Sequence, residues 1–298
     1  MADLFAGAGG FSEGARLAGL HVVASVNHWR IACDTHDANF PHMTAMCQDA
    51  ALMDPRDLPA FDGLLASPAC QGHSPARGKD RPHHDAARAT AWCVVNTVEV
   101  TRPRWFVVEN VPAFLTWALY RPWAEALRLL GYSLSENILN AAEFGVPQDR
   151  SRVYIVGMRG KSARWLTSPR LEHQPAESIL DAGGVWSDVR KAGRATQTLS
   201  RIESGRRRFG RRFLIPYYKS GSGLTGRSVA RPLGTVTTKD RYALVDGDKM
   251  RMLTVAEYRR AMGFREDYIV TGTRVEQVKQ YGNAVCPPVA AHILREVA

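Results

Sequence analysis

Cys70, Glu109, Arg150 and Arg152 are the residues whose type and setting most directly suggest chemistry. Cys70 stands in "FDGLLASPACQGHS", where an apolar run breaks off at Ser-Pro-Ala-Cys. Unpaired cysteines are usually buried and inert, so a thiol in the first turn after a predicted strand asks for another role, a reactive one, which its neighbours must decide. Glu109 closes a second apolar run in "RWFVVENVP"; a helix cap or a salt bridge is its plainer reading. Arg150 and Arg152 alternate in "PQDRSRVYIVG", so both side chains would project from one face as the chain enters a strand. Their plainer reading is an anion clamp or an exposed strand start.

These groups need elements that bring them together. "ADLFAGAGGFSEGARLAG" reads as a short strand, a glycine turn and a helix; "HVVASVN" is the next strand, and "WRIACDTHDANFP" a helix that stops near Pro41. "FDGLLAS", "RWFVVEN" and "RVYIVGM" are further strands, with helical patterns near 86–101 and 121–130 between them. Strands alternating with helices predict an α/β fold, a doubly wound and mostly parallel sheet with helices on both faces. Cys70 and Glu109 would then share the C-terminal strand edge, where open α/β sheets bind ligands. The loop "FAGAGG" follows a strand and opens a helix, so its glycines would let backbone approach a ligand at the helix N-terminus. Alone, such a loop serves dinucleotides, adenosyl cofactors or plain packing. A dinucleotide would call for GxGxxG and an acidic residue after the second strand, where this chain has Asn27-His28-Trp29.

After about Gly160 the alternation stops. Residues 161–244 are rich in Arg, Gly, Ser and Thr, with short strand-like pieces such as "RPLGTVTT" and "RYALV"; from "MRMLTVAEYRRAMGF" onward helical periodicity returns. The expected organisation is a catalytic and cofactor-binding domain from residues 1–160 plus 245–298, interrupted by a smaller basic domain at 161–244. The formal charge of +10 is concentrated there: Arg190 to Arg241 holds 14 Arg or Lys against Glu203 and Asp240, leaving 25 basic and 27 acidic residues elsewhere. Its densest part, "RIESGRRRFGRR", carries Arg206, Arg207, Arg208, Arg211 and Arg212, and Arg227 follows a glycine-rich stretch. Phe209, Phe213, Tyr217 and Tyr218 are interleaved. Arginines for phosphates and planar rings for bases predict a nucleic-acid partner.

The remaining composition narrows the class. Five cysteines at 33, 47, 70, 93 and 286, without CxxC pairing, argue against a disulfide framework and a zinc site, and fit a reducing compartment. No apolar run approaches the roughly 20 residues of a membrane helix, and "MADLFAGAGG" enters a strand-like segment without a basic-then-apolar leader. The expectation is an intracellular protein with no membrane and no metal, and a monomer, since no heptad or extended apolar face is apparent.

Together these blocks resemble the cytosine-5 DNA methyltransferase family, in the family's order and over nearly the whole chain. "DLFAGAGGFS" looks like its cofactor motif, "SPACQGHS" its nucleophile motif, "ENV" its acidic motif and "QDRSR" its QxRxR motif; "RMLTVAEYRRAMGF" and "QYGNAVCPPVAAHI" look like its last two motifs. The basic segment lies where the family keeps its target recognition domain. Two positions depart from the pattern: Ala69 stands where Pro usually precedes the cysteine, and His28 where an acidic residue commonly holds the cofactor ribose.

The resemblance implies a Rossmann-like core that moves a methyl group from S-adenosylmethionine to C5 of a flipped-out cytosine in duplex DNA, leaving S-adenosylhomocysteine. Cys70 would attack C6, Glu109 would bind and protonate N3, Arg152 would contact the base O2 or a nearby phosphate, and Arg150 would support it. Phe5, Ala6, Gly7, Gly9 and Gly10 would border the cofactor with Asn27, His28 and Trp29; Asp49 would face the adenine amine, and Asn283 and Ala284 the carboxylate side. Gln71, Ser74 and Arg77 would contact DNA, the polar segment 74–88 closing as a mobile loop. The family's setting implies a restriction-modification system and a cytoplasmic, nucleoid-associated enzyme. Methylation of tRNA, an inactive DNA-binding regulator of the same fold, and a flavin or nicotinamide enzyme are the competing readings; only the first two keep the fold, and the second predicts loss of Cys70 or Glu109, both present.

Overall fold

The computed structural model describes residues 1–69, 82–217 and 226–298. Its strands are β1 (Ala2–Leu4), β2 (Ala24–Val26), β3 (Thr44–Met46), β4 (Gly63–Ala66), β5 (Trp105–Asn110), β6 (Tyr132–Asn140), β7 (Gln148–Asp149), β8 (Ser151–Arg159), β9 (Ser187–Asp188), β10 (Arg212–Pro216), β11 (Arg227–Ser228), β12 (Leu233–Gly234), β13 (Tyr242–Asp246) and β14 (Lys249–Met252). Its helices are α1 (Gly10–Leu17), α2 (Arg30–Asn39), α3 (Pro82–Thr101), α4 (Tyr120–Leu129), α5 (Thr196–Phe209), α6 (Val255–Ala261), α7 (Arg274–Asn283) and α8 (Pro287–Val297).

Seven strands form one sheet in the order β3-β2-β1-β4-β5-β8-β6, parallel except for β8, which runs antiparallel to both β5 and β6. Side chains alternate across it as the pleat requires: Leu65 and Val107 face a core shared with α1 and α8, whereas Leu64, Phe106 and Val108 face one shared with α3 and α4. The chain ends meet because α1 can lie close against the segment entering α8. A Cβ on Gly10 would stand 2.1 Å from the Val285 carbonyl oxygen, and one on Gly14 would stand 2.4 Å from Cβ of Ala290. Any side chain at either position would separate these elements, which explains two glycines that have no need of unusual backbone angles.

A second, five-stranded sheet, ordered β11-β10-β13-β14-β9 with antiparallel pairing, packs α5 on one face around Ile202, Phe213, Ile215, Val245 and Met250. The basic run is therefore helical through Phe209, stops at Gly210 with φ 76°, and enters β10 with Arg212. Phe213 is fully buried, so it is core and not an exposed ring for a base; burying such a side chain contributes about 1.5–3 kcal/mol. Residues 250–252, expected at the start of a helical stretch, belong instead to strand β14, which carries this sheet past residue 244. The parallel pair β7–β12 ties the two parts together.

Candidate active site

A cavity of about 250 Å³ opens at the C-terminal ends of the parallel strands, the edge where this class of sheet takes ligands. From β1 it receives Phe5 and Gly7, both with positive φ (58° and 55°). That loop is held from below: Gly9 adopts a left-handed conformation as the N-cap of α1, and Tyr268 donates to the Ala8 carbonyl at 2.7 Å. Asp3, buried under it, accepts from Ser12 at 2.8 Å, and burial pushes its carboxyl up to about 7. His36 is buried beneath the same loop and kept neutral, its pKa lowered to about 4 by burial.

From the end of β2 come Asn27, His28 and Trp29. The Asn27 side chain accepts from the Trp29 amide at 2.9 Å, and Nζ of Lys279, on α7, sits 4.3 Å from the centre of the Trp29 ring. Lys279, Gln280, Gly282 and Asn283 complete this side, at helical spacing.

The chemistry-bearing end lies across β4 and β5. Ser67, Pro68 and Ala69 line the cavity, and Cys70 follows directly in sequence but lies outside the described residues, as do Gln71, Ser74 and Arg77. Of segment 74–88, the described part begins with α3 at Pro82. Two bonds fix the approach to Cys70: the Ala69 amide donates to Thr90 Oγ1 at 3.0 Å, and buried Asn110 donates from Nδ2 to the Pro68 carbonyl at 3.0 Å. Glu109 is buried, and burial raises its carboxyl above the ordinary 4.5, opposed by Arg152 and Arg150. Arg152 Nε lies 3.1 Å from Glu109 Oε1. Arg150 also lines the cavity, but its buried guanidinium donates to the carbonyls of Val236 (3.0 Å), Gly282 (3.1 Å) and Ala284 (2.9 Å). It joins three chain segments.

Several expected residues stand elsewhere. Ala6, Gly9, Gly10, Asp49 and Ala284 are not among the lining residues. Gly9 and Gly10 are in packing contact with Tyr268 and Val285, exposed Asp49 accepts from the Ala51 amide, and Ala284 contributes its carbonyl to Arg150. In the basic part, Arg206 pairs with Glu203 and Asp248, Arg211 with Asp246, and Arg212 with Glu177. Arg207, Arg208 and Arg227 are exposed and have no ion pair among the described residues. Arg208 and Arg227 line a groove of about 740 Å³ with Phe209, His173, Asn140 and Arg231. Asn110, Lys279, Gln280, His173 and Arg231 were not singled out by sequence. The i, i+4 spacing to Asn283 is a usable signal for Lys279; Asn110 bonds across 42 residues and leaves none.

The profile of the C-5 cytosine-specific DNA methylase family matches residues 1–298. The chain belongs to this family. As a C-5 cytosine DNA methylase it is similar to the type II methyltransferase M1.HphI of Haemophilus parahaemolyticus, 30% identical over 99% of this chain and 85% of that one. It is similar also to the type II methyltransferase M.HgiDI of Herpetosiphon aurantiacus, 28% identical over 95% of this chain and 89% of that one. The fold matches the S. pombe Dnmt2 methyltransferase with a TM-score of 0.71 over 99% and 97% of the two chains, at 18% identity. Among the described residues this methylase has no helix long and apolar enough to cross a membrane, and no group of three or more His, Cys, Asp or Glu that would hold a metal.

Proposed function

We propose that this C-5 cytosine DNA methylase carries out its reaction in the cavity between Glu109 and Trp29, with Cys70 as nucleophile, on a cytosine flipped from duplex DNA at a specific sequence. The observation that carries this reading is the Glu109–Arg152 pair beside Ala69, the residue that immediately precedes Cys70. The family match favours DNA over tRNA.

The residues at the β1 and β2 ends suit S-adenosylmethionine: Phe5 and Trp29 offer aromatic faces, Gly7 leaves backbone accessible, and Asn27 and Asn283 offer amide donors and acceptors. When bound there, that cofactor supplies an electrophilic methyl group. His28, with Asn27, takes the place of the missing acid beside the ribose. The remaining steps belong to the chain and the base. The Cys70 thiolate adds to C6, and the ring electrons shift toward C5. Neutral Glu109 donates to N3 and passes its proton there as charge develops, and Arg152 holds the carboxylate that remains and the base O2. Once C5 is methylated and loses its proton, elimination of the Cys70 thiolate and return of the N3 proton to the Glu109 carboxylate restore the neutral ring. A free thiol titrates near ~8.5; neighbouring backbone N–H groups and the Arg152 guanidinium are the candidates to favour the thiolate.

Flipping costs a few kcal/mol, which backbone contacts must offset. Arg207, Arg208, Arg227 and Arg231, without an ion pair among the described residues, supply cations for phosphates. We place the target recognition domain at residues 161–252, because β14 completes its sheet, and the catalytic domain around it. A single chain is the acting unit, working on DNA in the nucleoid. Duplex DNA bearing 5-fluorocytosine tests the covalent step: fluorine cannot leave as the C5 proton does, so a denaturation-stable complex should form in the presence of cofactor and be lost in Cys70→Ala. A stable complex with Cys70→Ala would remove Cys70 as nucleophile.

A further inference from the structure

Among the lining residues of the cavity, Lys279, Arg150 and Arg152 are cationic, and the one carboxylate, Glu109, is paired with Arg152. No lining acid faces Trp29, where His28 occupies the position after Asn27. Lys279 reaches over this indole from α7, 4.3 Å from its centre, and takes one of its two faces; an ammonium on a tryptophan face is attracted by the ring's negative quadrupole. None of the neighbouring acids stands between Lys279 and the cavity. Glu276, one turn earlier on α7, stays ionised and feels the Lys279 charge, but the Thr273 amide and hydroxyl hold its carboxylate at the start of the helix and it does not line the cavity; Asp3 is buried beneath the glycine loop, and Asp49 is not part of the lining.

We propose that Lys279 is a positioning residue of the cofactor cleft that also sets its charge preference: it fixes the Trp29 indole and places a positive charge at the rim. The cleft therefore holds the product, with its uncharged thioether, more tightly than the sulfonium cofactor. S-adenosylmethionine carries one positive charge more than S-adenosylhomocysteine and one methyl group more, so a fixed cation acts on the difference between them by Coulomb repulsion, against the attraction of the aromatic faces for a sulfonium. The inference rests on the assignment of this cavity to the cofactor, and it makes product release a step that Lys279 slows.

Equilibrium dialysis of both nucleosides against the wild-type protein, Lys279→Met and Lys279→Arg separates these ideas without any turnover. Lys279 is exposed, so neither change threatens the fold. The wild type should prefer S-adenosylhomocysteine, and in Lys279→Met the ratio of the two dissociation constants should fall about threefold, the scale of one solvent-screened charge interaction. Lys279→Arg should keep the ratio, and added salt should lower it in the wild type but not in Lys279→Met. An unchanged ratio in Lys279→Met, with both ligands still bound, would overturn the inference and leave the cofactor site standing. Failure of the wild type to bind either nucleoside would overturn both.

Discussion

Glu109 and Arg152 form an ion pair on the cavity wall, Nε to Oε1 at 3.1 Å, yet burial draws the same carboxyl toward its neutral form. The two tendencies serve two moments of one reaction: a proton available for N3 of the base, and a guanidinium ready for the carboxylate left behind.

Activity should accordingly depend on protonated Glu109. Its folded pKa is raised above 4.5, so the rate should fall as pH rises through that value. Arg152→Met removes a cause that lowers it and should move this alkaline limb to higher pH while reducing kcat. Ionised Glu109 opposes folding: the cost is absent below the ordinary carboxylate value, grows as pH rises from there, and is complete above the folded one. Glu109→Gln should remove this component from the pH–stability curve and lower kcat by about 100-fold or more, the range of general acid catalysis. Rate profiles and urea unfolding at stepped pH check both statements.

Asn110→Ala removes the bond to the Pro68 carbonyl and the one its Oδ1 accepts from the Val111 amide. We expect a stability loss of about 1–3 kcal/mol for buried partners left unsatisfied, together with a reduced single-turnover rate, because the segment leading to Cys70 loses its anchor. Asn110→Asp keeps the acceptor and should recover only part of each. A normal single-turnover rate in Asn110→Ala would show that this anchor does not govern the nucleophile.

Arg150 and Arg152 should differ in kind although they sit two residues apart. Arg150→Leu leaves the Val236, Gly282 and Ala284 carbonyls without their donor and should destabilise the fold by about 3 kcal/mol or more. Arg150→Lys should not rescue it, since one ammonium cannot reproduce a planar fork of donors. Thermal unfolding of these variants beside Arg152→Met gives the comparison.

The exposed arginines should separate by their partners. Arg208→Gln and Arg227→Gln should each weaken DNA binding and reduce the slope of log affinity against log salt by about 1. Arg211→Gln, whose cation is already paired with Asp246, should change that slope much less.

What the sequence revealed followed from how each signal arises. Strand–helix alternation, the glycine loop and the polar ends of apolar strands are local patterns, and they located the sheet edge and both Glu109 and Arg152. Contacts made across the chain were not legible: Asn110 to Pro68, Lys279 to Trp29, and the close approach behind Gly10 depend on how distant segments are stacked. Met250 and Met252 misled because two methionines two apart, just before a helical pattern, fit either period; pairing with Val245 and Ala243 decides for the strand. The Arg-rich run has too few apolar residues to display the one face, with Ile202 and Gly205, that packs α5 on its sheet. Asp49 has the right type for an adenine contact, and its carboxylate accepts from the Ala51 amide beside the cavity lining.

The most direct test of the account is transfer of labelled methyl from S-adenosylmethionine to mixed-sequence duplex DNA, with base-resolved mapping, run beside Cys70→Ala and Glu109→Gln. The account predicts label on cytosine C5 at one recurring sequence, absent in the first variant and strongly reduced in the second. Undiminished label in Cys70→Ala, or label on another atom of the base, would contradict it.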